Sequence, residues 1–292
     1  MCLTEEIGIR LQFLSEVDKV NFHSDEWIMN RLKEHYQEAL TIFPKDKIVG
    51  IFIQGSQNYQ LDYSGSDIDT KCIVLPTLED ICLNKKATSY TYVRENNEHI
   101  DFKDLRVITT DFKKQNINFL EVLFTKYKIL NEDYAILFQP MFDNAEDIAS
   151  YDNYRFVKAT AGMSMEKHKA LTLDRPSQHD EIVKYGWATK QLHHTDRLNL
   201  FIKRWVAGES FADCLIDPRG EEMSYMKQYG HCIKTLDQAK TLCKEYDDET
   251  NAIKEQYIAT HDHIINESVG EMIDGVVVSV IKESLKKELI NS

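Results

Sequence analysis

Asp67 and Asp69 stand two residues apart in GSDIDTKCIVLP, at the start of a β-branched run that ends in proline. On a strand, a spacing of two puts both carboxylates on one face and turns Ile68 to the other. Paired oxygen ligands of this kind suit Mg²⁺, which keeps several waters and completes its shell with substrate phosphates. Upstream, Gly55-Ser56 closes the apolar run IVGIFIQ. Glycine there lets the backbone approach a ligand, and the following amides and hydroxyl can take a phosphate oxygen. Downstream, Asp101 sits between Ile100 and Phe102 in the strand-like HIDF. Three carboxylates are what a two-metal in-line displacement at phosphorus requires, one ion activating the attacking oxygen. Asp104 follows three residues later in DFKDLR, and the apolar flanks of Asp101 make Asp101 the preferred third carboxylate.

Further along, Lys190, His194 and Arg197 fall at i, i+4 and i+7, a basic stripe on one helix face in an acidic chain. A triphosphate brings roughly four negative charges, and such a stripe is suited to closing over it. His261 and His263 in THDHII resemble a metal pair, but no Cys or further His lies at a suitable spacing, so they read as a solvated helix surface.

These groups need a scaffold. Trp27, Ile28, Leu32, Tyr36, Leu40 and Phe43 recur at helical spacing behind a capping Ser24 and Asp25, predicting a helix over 26–43. IVGIFIQG (48–55), IDTKCIVLP (68–76), SYTYV (89–93) and HIDF (99–102) read as strands, the last two joined by a polar turn. Phe112, Ile117, Leu120, Leu123 and Phe124 predict a helix from Thr110 to about Leu130. Beyond about residue 150, long helical patterns with charged faces dominate, and DGVVVSVIKESLKKELI reads as a buried terminal helix. The division is therefore 1–150 and 151–292, with a cleft between the two parts as the natural site.

The chain has 292 residues, 42% of them hydrophobic, enough to bury a core. Its net charge of −13 opposes the phosphate attraction that drives binding to long nucleic acids, so any such contact is expected to be local. Six scattered cysteines without a CxxC pair fit a reducing cytoplasm. Acidic residues near the start and the lack of a long apolar stretch predict a soluble intracellular protein, with no membrane span.

Gly55-Ser56, the Asp67-Ile68-Asp69 motif ten residues on, and a later lone Asp101 together resemble the nucleotidyltransferase superfamily typified by DNA polymerase β. GSQNY, GSDIDTK, HIDFKDLR, KKQNINFLEVLF and KQLHHTDRLNLF are closer still to the predicted phage and bacterial nucleotidyltransferases related to an RNA-repair family. The likeness covers roughly residues 48–230. It implies an α+β catalytic domain, with a short mixed sheet and flanking helices, followed by an α-helical domain that closes the cleft. It also implies phosphate binding at Gly55 and Ser56 and two Mg²⁺ ions, or Mn²⁺ as a substitute, on Asp67, Asp69 and Asp101. Asp101 would double as general base. Ser66 and Lys71 are candidates for charge balance. Asn116 and Glu121 match the resemblance and also suit packing or capping. The implied reaction moves a nucleoside monophosphate from an NTP, ATP first among them, to an acceptor hydroxyl. An RNA end such as tRNA is the favoured acceptor, with a small molecule or a protein side chain as alternatives. The rival reading is a non-catalytic nucleotide-binding regulator of the same fold.

Overall fold

The computed structural model describes residues 22–220 and 234–291; Cys2, Cys232 and the start of the chain read for a targeting signal lie outside them. The first helix among the described residues, α1 (Asp25–Ile42), begins where Ser24 accepts the Trp27 amide, and Asp25 and Glu26 favour the positive end of its dipole. Its inward face carries Ile28, Leu32, His35 and Ala39, one residue per turn, and packs on a five-stranded sheet.

The strands are β1 (Ile48–Gln54), β2 (Asp69–Val74), β3 (Ser89–Val93), β4 (His99–Asp104) and β5 (Lys128–Leu130), ordered β3-β4-β2-β1-β5. β2 runs parallel to β4, and the other neighbours are antiparallel. The sheet is therefore mixed, with the most apolar strand, β1, next to its centre. Alternation along β2 sends Cys72 and Val74 into the cluster under α1 and Ile73 into the larger cluster on the opposite face. Asp69 and Lys71 share the parity of Ile73, so they point away from α1.

The stretch expected as one helix over 110–130 is broken into pieces. Asp104 accepts the Arg106 amide and starts α2 (Leu105–Lys113) directly after β4. Gln115 then takes a left-handed backbone (φ +57°), and its side chain donates to the carbonyls of Phe112 and Ile148. A short turn follows at Ile117–Leu120, capped by Asn116, and the chain then enters β5 at the sheet edge. The apolar spacing was real, but the left-handed Gln115 and the Asn116 cap after it interrupt the helix.

All five strands lie before residue 131, and the long elements beyond residue 150 are helices: α4 (Asn153–Lys169), α5 (Thr189–Val206), α6 (Leu236–Thr260) and α7 (Glu267–Asn291), following α3 (Glu132–Asp143). Here α4, α5 and α6 pack on one another. α7 instead returns to the first part and lies on α2 and α3, with Lys47 paired to Glu288 and Lys113 to Asp274. One apolar cluster runs from Val49 on β1 to Val280 on α7, so the core does not divide at residue 150. No helix among the described residues is long and apolar enough to cross a membrane.

Candidate functional site

A cleft of about 430 Å³ opens on the sheet face away from α1, between the ends of β1, β2 and β4 and the helices α4 and α5. The turn after β1 forms its floor. Gly55 adopts φ +91°, a conformation open to glycine and strained for other residues, and Ser56 accepts the amides of Tyr59 and Leu61 as the chain folds back. Glu121, fully buried, accepts the Gly55 amide at 3.0 Å and the Asn58 side-chain amide at 3.2 Å. Burial raises the Glu121 carboxyl above its ordinary range, against the pull of those donors, Tyr59 and Arg197.

Asp67 and Asp69 both line the cleft, while Ile68 between them is fully buried under α1. Their backbone is fixed from behind. Glu98 accepts the Ile68 amide at 3.3 Å and is itself held by Arg31, Arg94 and His35. Burial alone would raise Glu98, but hydrogen bonds with His35, Asn96 and Arg31 outweigh it and hold this carboxyl well below its usual range. Asp69 pairs in register with Gln54, which brings it beside the Gly55 turn, and it accepts the His99 amide at 3.1 Å. Burial, then the neighbouring charge of Asp67, raise the Asp69 carboxyl; His99 and Lys190 oppose the rise.

Asp101 also lines the cleft, and Asp104 does not. Asp104 is almost fully buried as the cap of α2 and is ion-paired to Arg106 at 2.6 Å, so of the two only Asp101 faces the cleft. Asp101, however, is already engaged. Lys71, its register partner, places Nζ 2.7 Å from Oδ2, while Lys103 Nζ lies 3.3 Å and Thr91 Oγ1 3.4 Å from Oδ1. Among the described residues no group of three His, Cys, Asp or Glu side chains is placed to hold a metal ion. The expected three-carboxylate cluster is thus an acidic pair, Asp67 and Asp69, beside a lysine-held Asp101.

The opposite wall is cationic. Lys190, His194 and Arg197 line the cleft from α5, with His193 beside them, and Met163 and Lys167 join from α4 one turn apart. Arg197 is only 6% exposed; its guanidinium lies 3.9 Å from the centroid of the Tyr59 ring, and its Nε and Nη1 have no hydrogen-bond partner. Arg219 ties α5 to the floor by bridging Asp196 and Asp217, whose amide donates to the Tyr59 carbonyl. Burial first, then nearby cations including Arg197 and Lys190, lower the Lys167 ammonium.

No protein-family model matches the chain, and no curated protein matches its sequence.

The structure gathers Gly55, Ser56, Asp67, Asp69, Lys71, Asp101, Lys190, His194 and Arg197 into one cleft. Ser66 is not part of it: its hydroxyl accepts the Tyr63 amide and its own amide returns to the Tyr63 carbonyl, closing the turn before Asp67. Asn116 caps a helical turn at the cleft edge, and Glu121 anchors the Gly55 turn. His261 stacks on Tyr257, and His263 stacks on Tyr154 and meets Asp152 at 3.2 Å, so both belong to the junction between α6 and α7. Sequence reasoning missed Lys167 and Phe119. The one signal for Lys167 was its i+4 spacing from Met163, which does not say what α4 faces.

Proposed function

We propose that the chain is a nucleotidyltransferase, moving a nucleoside monophosphate from a nucleoside triphosphate to an acceptor hydroxyl. One observation carries the reading: a buried guanidinium with two nitrogens that lack a hydrogen-bond partner stands in the same cleft as a close carboxylate pair. An unpaired buried donor costs about 1–3 kcal/mol, so the site is built to gain from an anion. A carboxylate pair would repel that anion unless a cation lay between them. A nucleoside triphosphate carrying a divalent ion satisfies both walls, and the volume lies within the range of ligand pockets.

Asp67 and Asp69 fit one hard divalent cation, since both offer only oxygen, and burial together with the neighbouring Asp67 charge already raises Asp69. Bound there, Mg²⁺ would neutralise phosphate charge and orient the reacting phosphorus. Ser56 and the turn amides would bind phosphate oxygens, and Arg197, Lys190, His194 and Lys167 would hold the departing pyrophosphate. The acceptor oxygen attacks the α-phosphorus, the bond to the bridging oxygen of the β-phosphate breaks, and the acceptor proton passes to Asp101. The net charge of −13 disfavours long duplexes as acceptors; among short acceptors it is the family resemblance that puts an RNA end ahead of a small molecule or a protein side chain.

The test is incubation with each labelled nucleoside triphosphate, Mg²⁺ or Mn²⁺, and total RNA or protein. Label transfer that Asp69→Asn lowers by more than the roughly 100-fold cost of losing a mere support of a metal ligand is the expected result. Nucleotide binding without transfer, unaffected by Asp69→Asn, would instead identify a binding module.

A further inference from the structure

Lys71 is the most completely buried cation lining the cleft, at 3% exposure. Parallel pairing of β2 with β4 sets it directly opposite Asp101, and the ammonium is held between Asp101 Oδ2 at 2.7 Å and the Phe119 ring at 4.2 Å from its centroid. Lys103 and Thr91 engage the other oxygen of Asp101, so a metal ion could reach that carboxylate only by displacing protein donors. Neither lysine stem lies loose in solvent: the Lys103 side chain is 17% exposed, and its Nζ also donates to Ser89.

Resting on the functional reading above, we propose that Lys71 occupies the place of a second metal ion: the cleft takes a single divalent cation at Asp67 and Asp69, and the fixed ammonium supplies the positive charge beside Asp101. A lysine held by a carboxylate and an aromatic face is already oriented, whereas an ion would have to be dehydrated and bound. It brings one unit of charge instead of two, which matches the extra cations on the opposite wall. Asp101 is then a partner of Lys71 that faces the acceptor, not a metal ligand.

The experiment counts Mn²⁺ bound per chain by the loss of the free-ion paramagnetic resonance signal, with and without a non-hydrolysable nucleoside triphosphate analogue. One ion is expected in the native protein with the analogue present, unchanged in Asp101→Asn. Lys71→Met, close in volume and checked for folding by its thermal melt, is expected to free Oδ2 of Asp101 and raise the count from one to two. Two ions in the native protein, one of them lost in Asp101→Asn, would overturn this inference and leave the nucleotidyltransferase reading standing. A Lys71→Met count still at one would show that Lys71 does not exclude the second ion. No bound Mn²⁺ in the native protein under either condition would overturn both readings.

Discussion

Arg197 carries the most weight among single residues, because the proposed anion site rests on its burial, its contact with Tyr59 and its two nitrogens without a hydrogen-bond partner. Hydrogen bonds to charged groups contribute about 1.5–3 kcal/mol, so Arg197→Ala should weaken nucleotide binding roughly 10- to 100-fold, measured by calorimetric titration. Arg197→Lys should recover only part of that, since lysine lacks the planar fork. Unchanged affinity in both would mean the stripe does not meet the nucleotide. Gly55 makes a different demand. Nothing lies within 4 Å of where a Cβ would stand, so space is not the constraint; the backbone at φ +91° is. Gly55→Ala is expected to cost about 1–2 kcal/mol of stability through conformational strain alone, visible as a lower denaturation midpoint.

Pairs of elements hold the acidic motif in place. α1 reaches over the sheet to Glu98 through Arg31 and His35, and Glu98 in turn holds the Ile68 amide. Because this carboxyl is held below its ordinary value of 4.5, its contribution to stability is complete above about that pH and is lost as the pH falls through the lower, folded-state value. Glu98→Gln should therefore flatten the acid limb of the stability curve below pH 4.5. At neutral pH it should cost about 1.5–3 kcal/mol by weakening the charged hydrogen bonds to Arg31 and Arg94, which keep Glu34 and Glu38 as partners, as urea melts across a pH series would read. A variant whose acid limb matches the native protein would place the pH dependence elsewhere.

Much of this element layer was legible in the chain. β1 and β2 are short, β-branched and bounded by glycine and proline, and the alternation that buries Ile68 is the same one that turns its two neighbours to the cleft. The helix expected over 110–130 was misread because periodicity reports which residues are buried, not whether the backbone is continuous through them. Asp104 could have been recognised as a helix cap, standing ahead of the apolar run of α2. The left-handed Gln115 carries no comparable mark, since its conformation is held by contacts to Phe112 and to Ile148, 33 residues away.

At the level of the whole molecule, α7 closes the structure by covering α2 and α3 with Val269, Ile273, Val276, Val277 and Val280. Burying five such side chains contributes on the order of 10 kcal/mol, comparable with the whole stability of a domain. A chain ending at residue 266 should accordingly fail to give a cooperative thermal transition, although every site residue is retained. A sharp, native-like melt from that shortened chain would show that the first part folds without α7.

The sequence by itself determined the local facts: which runs become strands, that Asp67 and Asp69 share a face, and that Lys190, His194 and Arg197 share another. Those follow from periods of two and of about 3.6 residues, which are properties of the backbone. Only the tertiary structure decided who meets whom. The parallel registry of β2 with β4 put Lys71 against Asp101, and the packing of α4 beside α5 brought Lys167 to the same wall as Arg197. Strand order and helix packing are set by how the entire apolar surface is best buried, a sum over distant residues that no short stretch of chain contains.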